Sequence, residues 1–488
     1  MPLAGLKYRK LIGKLQTENY FQTPADVIVF RKGNLAIAIK GDTKETIASS
    51  TDHAEAIQAA INYLTEGGRI FIKNGIYLLH DKDGDGYCIV INNKSNIEIV
   101  GDKGATLKLD DNIFTESWSS RTQYMLRIIN SSYITVKNLV FDANRDGGNN
   151  GNVLGIWGNG ASTKVVVEEN VFLNTYGHAV YINNAHDNKV LKNIFYNNTW
   201  YDIALDTHSH RNIVAENVII NGIGMESFGE SYYNCFINNI IADQRLDVSG
   251  EVKPAINIEG RNLIKANILY NIRGSGIVLE GSELQVVEGN ILYNTVTDLA
   301  APNGAIYVAV GSSNKIIKNN IIINPEAGYG GIVIRGDNCL VEGNYVTGFA
   351  SHGIIEYSRS NNRIIGNRVL NNGVYDIRLF GSSNCKCLLN DVSESTSSNK
   401  ISDEGTGNVV KYNIGYLTEN SGTATIPAGS TSVTVEHGLA STPSKVIVTP
   451  IGDPGDRWWV ANVGDTSFEI HVATAPSADI KFYWHAEV

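Results

Sequence analysis

The residues best suited to chemistry recur at fixed places in a repeated strand. The strands AVYIN (179–183), DIALD (202–206), GMESF (224–228), AINIE (255–259), GIVLE (276–280), AIYVA (305–309) and GIVIR (331–335) align residue by residue. A strand turns alternate residues to opposite sides, so the second and fourth, all apolar except in GMESF, point inward. The third and fifth point outward, among them Tyr181, Glu226 and Tyr307, then Asn183, Asp206, Glu259, Glu280 and Arg335. His178 and Tyr201 sit just before strands, and His208 and Arg261 just after. Residues 178–261 therefore gather Tyr, His, Asp, Glu and Arg on one wall. Such groups suit proton transfer at carbon or oxygen. Carboxylates on adjacent coils would lie about 5 Å apart and those two coils apart about 10 Å. Glu259 with Glu280 would then fit a retaining glycosidase and Asp206 with Glu259 an inverting one. Each residue also has a plainer reading. His208 and His210 fit exposed turns, Asp206 fits a turn cap, and Glu259, Glu280 and Arg335 fit a solvated surface. It is their clustering that favours a site.

What must position these residues is the repeat itself. An Asn returns at 138, 170, 193, 217, 239, 267, 290, 320, 344, 367, 390 and 413. Most steps are 22–24 residues, and the longer ones are one unit plus an insertion. A period in this range marks a solenoid. The units hold short apolar strands broken by Gly and Asn turns, with no helical periodicity, so a parallel β-helix running to about residue 415 is expected. Stacked Asn side chains would donate to and accept from one another, pairing turn groups that would otherwise be buried alone.

Both ends of the repeat have their own grammar. Residues 1–50 form a separate N-terminal segment, within which VIVFRKGNLAIAIKGD reads as two strands about a Lys32-Gly33-Asn34 turn. Asp52 or Thr51 can cap the helix AEAIQAAINYL, which leads through GGRIFIKNGIYLL into the repeat. This order of helix, Gly-Gly, strand and x-NG-x-Y resembles the start of pectate-lyase-like right-handed β-helix proteins, where a helix plugs the end of the solenoid. Asp81, Asp83 and Asp85 have calcium-loop spacing, but Asn92 stands where the loop needs Glu, so a solvated turn is expected. Residues 51–415 are expected to be the β-helix. Residues 422–488 alternate without the Asn repeat and should form a small antiparallel β-sandwich. That segment resembles the H-type-lectin-like domains of phage-tail proteins, which implies carbohydrate binding or oligomerisation. Trp458, Trp459 and Trp484 would be its sugar platform, its oligomer contact or its core.

ALDTHSHRNIVAENVIIN (204–221) resembles the active-site coil of mannuronan C5-epimerases and related alginate lyases, and FDANRDG (141–147) resembles their upstream Asp-Gly-Asn-Arg coil. The resemblance implies abstraction of the C5 proton of a uronic acid, followed by β-elimination or epimerisation. His208 with Tyr201 or His178 would be acid and base, and Asp206 would orient them. Arg145, Tyr181, Asn183, Glu226, Glu259, Arg261, Glu280, Tyr307 and Arg335 would hold the polymer. The chain departs from the pattern in having Thr207 for Pro and Ile203 for Tyr. No metal-ligand motif is present. Calcium is the cation that acids such as Glu226, Glu259 or Glu280 would suit.

The totals exclude other classes. A net charge of −10 with no basic run argues against nucleic acid. No stretch is long and apolar enough to span a bilayer. The N-terminus lacks an apolar signal core, so an extracellular or virion-associated protein is expected to be released by another route, carried on a virion, or represented here without its signal. The odd count of Cys, 5, fits buried small hydrophobes better than a disulfide framework. The expected partner is an acidic polysaccharide, and monomer and trimer both stay open. Three functions fit: a lyase or epimerase of uronic-acid polymers, a glycoside hydrolase, and a tail-fibre-like binding protein.

Overall fold

The computed structural model describes residues 24–488 except 82, 116–122, 159–160, 299–303, 326–327, 398 and 456. The chain winds as a right-handed parallel β-helix whose coils each give one strand to three long sheets. In one coil, Val166–Glu168 lies in sheet 1, Val171–Leu173 in sheet 2 and Val180–Asn183 in sheet 3. The next coil repeats the order with Lys189–Leu191, Ile194–Tyr196 and Ile203–Asp206, all in parallel register. The inward residues make one continuous apolar core from Val27 to Ile401. Within it Phe141, Phe172 and Phe195 stack at centroid spacings of 5.1 and 4.9 Å, the spacing that the coils impose.

The expected Asn column is present at the corner between sheets 1 and 2. From Asn170 to Asn413 each side-chain amide donates to the next Asn Oδ1, at 3.1 Å for Asn170–Asn193 and 3.0 Å for Asn193–Asn217. The same Oδ1 also takes the backbone N–H of the preceding Asn. Each such bond contributes about 1 kcal/mol net. Asn138 is not a member. It holds the left-handed position (φ 57°) next to the column, and Leu139 occupies the column site, its N–H donating to Asn170 Oδ1 at 3.1 Å. Elsewhere that left-handed position is held by residues such as Lys192, Glu216 and Asn238, so an Asn one place early mimics the column in sequence.

The helix is α1, His53–Tyr63, and the Asp52 carboxylate caps it by accepting from Ala54 N at 3.0 Å. Val27–Lys32 and Leu35–Lys40 pair antiparallel beside it. Two three-stranded antiparallel sheets between Glu419 and Glu487 enclose a second core around Phe468, Phe482 and Trp484. Trp484 is thus core, whereas Trp458 and Trp459 are exposed, Trp459 stacking on His471 at 5.4 Å. No helix among the described residues is long and apolar enough to cross a membrane. The cysteines are all free, and all but half-buried Cys235 are buried.

Candidate functional site

The outer face of sheet 3 carries most of the singled-out residues. Pairing places Arg127, Gly155, Tyr181, Ala204, Glu226 and Asn257 in one row across successive coils. Asn183 and Asp206 pair in a parallel row. Glu259 and Glu280 follow the paired ends Ile258 and Leu279, so they face outward on adjacent coils.

At the start of these strands a compact cluster forms. His178 is fully buried, its ring stacked on Tyr181 at 5.0 Å. Its Nδ1 lies 3.0 Å from the Tyr201 carbonyl oxygen, which can only accept, so this nitrogen holds the proton. Its Nε2 is therefore turned to Glu226 Oε1, 3.8 Å away. Tyr201 is also buried. Burial above all, then the Glu226 and Glu280 carboxylates, pushes its phenol well above the usual range, while the Asn257 side chain bonds to it. Tyr181 donates to Asp206 Oδ2 at 2.7 Å and accepts from Asn183 at 3.1 Å. Asp206 Oδ1 takes the N–H of Thr207 at 2.7 Å, so this carboxylate both caps its turn and joins the cluster.

At the far end of the strands stands the carboxylate pair. Burial first, and the Glu259 charge second, raise the Glu280 carboxyl above its ordinary range. Glu259 accepts from Gly229 N at 3.1 Å. Below Glu280 lies a clamp. Buried Lys315 donates from Nζ to the carbonyls of Gly281 at 2.8 Å and Glu283 at 2.9 Å, with Glu280 O at 3.3 Å. Burial pushes its ammonium down to about 8. Gln285 Nε2 adds a bond to Glu280 O at 2.9 Å. Gln285 and Lys315 belong to a second column, at the corner between sheets 3 and 1, which begins Asn188, Asn212, Asn234, Asn262. There a longer side chain replaces Asn, and it reaches the Glu280 turn. The sequence signal was a Gln and a Lys at positions where earlier coils have Asn.

Other singled-out residues lie apart. His208 is exposed in the corner after sheet 3, 3.1 Å from Glu230, with both Thr207 and His208 left-handed. Exposed Arg261 packs its guanidinium 5.6 Å over Tyr233. Tyr307 continues the first row beyond Val278, and Arg335 lies farther on, 5.6 Å over Tyr357. Arg145 is in a short 3-10 turn at the corner after sheet 2, bonded to Asn197 O at 2.8 Å. Among the described residues no three His, Cys, Asp or Glu groups converge as metal ligands.

Comparison with known proteins gives short or distant matches. Residues 295–425 match the family described as periplasmic copper-binding protein (NosD). The uncharacterized protein YclG of Bacillus subtilis is 27% identical over 168 residues, 31% of this chain and 26% of that protein. The chain therefore spans about a quarter of that relative's length. Two solved structures share the fold. The tailspike protein of Escherichia coli bacteriophage HK620, a mutant in complex with a hexasaccharide, has a TM-score of 0.54 at 13% identity, covering 90% of each chain. The A-module of the mannuronan C-5 epimerase AlgE6 of Azotobacter vinelandii has a TM-score of 0.50 at 15% identity, covering 74% of this chain and 95% of that one.

Proposed function

We propose that this protein cleaves glycosidic bonds in a polysaccharide laid along the outer face of sheet 3. Glu280 is the proton donor and Glu259 its carboxylate partner. The observation that carries this reading is the pairing of the two on adjacent coils, with Glu280 half-buried and its turn clamped by Lys315 and Gln285. A carboxyl raised by burial and a like-charged neighbour is better suited than an ordinary one to donate to a leaving oxygen. Backbone spacing of about 4.8 Å between coils matches the separation of a retaining pair. The solenoid gives an extended polymer an extended surface. An extracellular or virion-associated setting suits such a substrate, and the exposed Trp458 and Trp459 suit a carbohydrate or oligomer contact at the C-terminal sandwich.

C5-proton abstraction from a uronic acid is the second reading. It is favoured by His178 Nε2 facing Glu226 and by the resemblance of residues 204–221 to alginate-acting enzymes. Two features weigh against it. A phenol held well above its usual range stays protonated and is a poor base. The wall also places Glu226, Glu259 and Glu280 where a uronate carboxylate would need a positive group. The two readings separate by product. Hydrolysis gives new reducing ends without the absorbance of an unsaturated uronate, elimination gives both, and epimerisation changes sugar composition without cleavage. His208→Ala separates them again. Hydrolysis is expected to keep its rate within about threefold, since rate losses near tenfold need about 1.4 kcal/mol at the transition state. Loss of all turnover would return the reaction to His208.

A further inference from the structure

The same outer face continues toward the N-terminus beyond the acidic groups, and there its chemistry reverses. Arg127 stands in the Glu226 row, four coils earlier. Its guanidinium lies 4.5 Å from the Tyr87 ring, 4.7 Å from Trp157 and 5.7 Å from Tyr124. Tyr124 and Trp157 meet edge to face at 6.3 Å, and Trp157 leans on Tyr181 at 5.6 Å. Gly155 makes the box close: a Cβ there would come within 2.7 Å of the Tyr124 ring. Burial lowers the Arg127 pKa, with Asp85 the acid that acts on it electrostatically. Arg127 Nε and Trp157 Nε1 are shut away from solvent with no hydrogen-bond partner among the described residues.

Two orphaned donors beside a fixed, partly desolvated cation call for an acceptor that carries negative charge. A guanidinium packed among aromatic rings can meet a carboxylate through two N–H groups, and the rings offer faces and edges to a sugar. We propose that Arg127, boxed by Tyr87, Tyr124 and Trp157, is a distal subsite for a carboxylate-bearing sugar, and that uncharged sugars flank the bond processed at Glu259 and Glu280. This rests on the polysaccharide reading above and names its substrate class: an acidic heteropolysaccharide with separated charges. The separation is five coils from Arg127 to the Glu259 coil, or about 24 Å at about 4.8 Å per coil, several sugar units of an extended chain.

The test is binding of the full-length protein to an array of bacterial acidic polysaccharides, each printed beside its carboxyl-reduced form. The wild type is expected to retain carboxylated polymers that alternate with neutral sugars, and to lose at least tenfold in affinity on carboxyl reduction. Arg127→Gln is expected to erase that selectivity, and Arg127→Lys, which keeps charge without the planar fork, to weaken it severalfold. Glu280→Gln is expected to preserve it. If Arg127 only braces the fold, Arg127→Gln lowers the melting temperature while the preference for carboxylated over reduced polymer persists. That result overturns the subsite and leaves the polysaccharide reading standing. Binding of no glycan by the wild type overturns both.

Discussion

At the scale of single residues, the site separates groups that look equivalent in sequence. Glu226, Glu259 and Glu280 are three outward glutamates, and the Glu280 carboxyl is raised by its burial and by the Glu259 charge. An acid must be protonated to donate, so activity should fall as pH rises through the Glu280 pKa, at a higher pH than for an ordinary carboxyl. Glu259→Gln removes the repelling charge and is expected to lower the Glu280 pKa. Carboxyl-carbon NMR titration would register this as a Glu280 midpoint moved toward the ordinary range, and an unchanged midpoint would mean that the two groups are not coupled. The outward rows were legible in sequence because strand alternation alone assigns them. Burial was not. His178, Tyr181 and Tyr201 alternate outward or lie beside the strand as read, but neighbouring rings cover them. Lys315 was marked in sequence only as a Lys where earlier coils have Asn, and its role appears only when its coil is stacked on the one that carries Glu280.

Elements are held by corners as much as by strands. The period of the Asn residues was legible because it reflects one geometric need, pairing of turn groups at each coil. The corner between sheets 2 and 3 hides another device. Asp202 is fully buried, taking Asn198 Nδ2 at 2.7 Å and the N–H groups of Ile223 and Gly224 at 3.1 and 3.0 Å. Burial pushes its carboxyl up to about 7 despite these bonds. The folded chain therefore keeps a proton that the unfolded chain releases above about 3.9. Stability should fall as pH rises from that value to about 7, then level off. Asp202→Asn keeps the shape and an acceptor for the two backbone donors but has no proton to lose. Its melting temperature should be flatter over this range than the wild type's. Parallel curves for the two proteins would show that Asp202 does not titrate as proposed.

For the whole molecule, the solenoid turns a repeated strand into a surface longer than any single pocket. The repeat, the plugging helix and the change of grammar near residue 420 were all readable, because each is a local pattern. The stacking of the coils was readable as well: the aligned strands pair as read across insertions of uneven length, such as the residues between Ala242 and Ile256, and Glu259 and Glu280 fall on adjacent coils. Stacking brings an aromatic-boxed arginine and a carboxylate pair onto one face. The C-terminal sandwich has a core of its own, with Trp458 and Trp459 exposed. The central claim is that Glu280 protonates the leaving oxygen of a glycosidic bond. The most direct measurement is the rate of reducing-end release from a bound polysaccharide by the wild type and by Glu280→Gln. Glu280→Gln is expected to lose about 10²–10⁴ in turnover, with polymer binding intact. Full turnover by Glu280→Gln, or products that carry an unsaturated uronate, would contradict it.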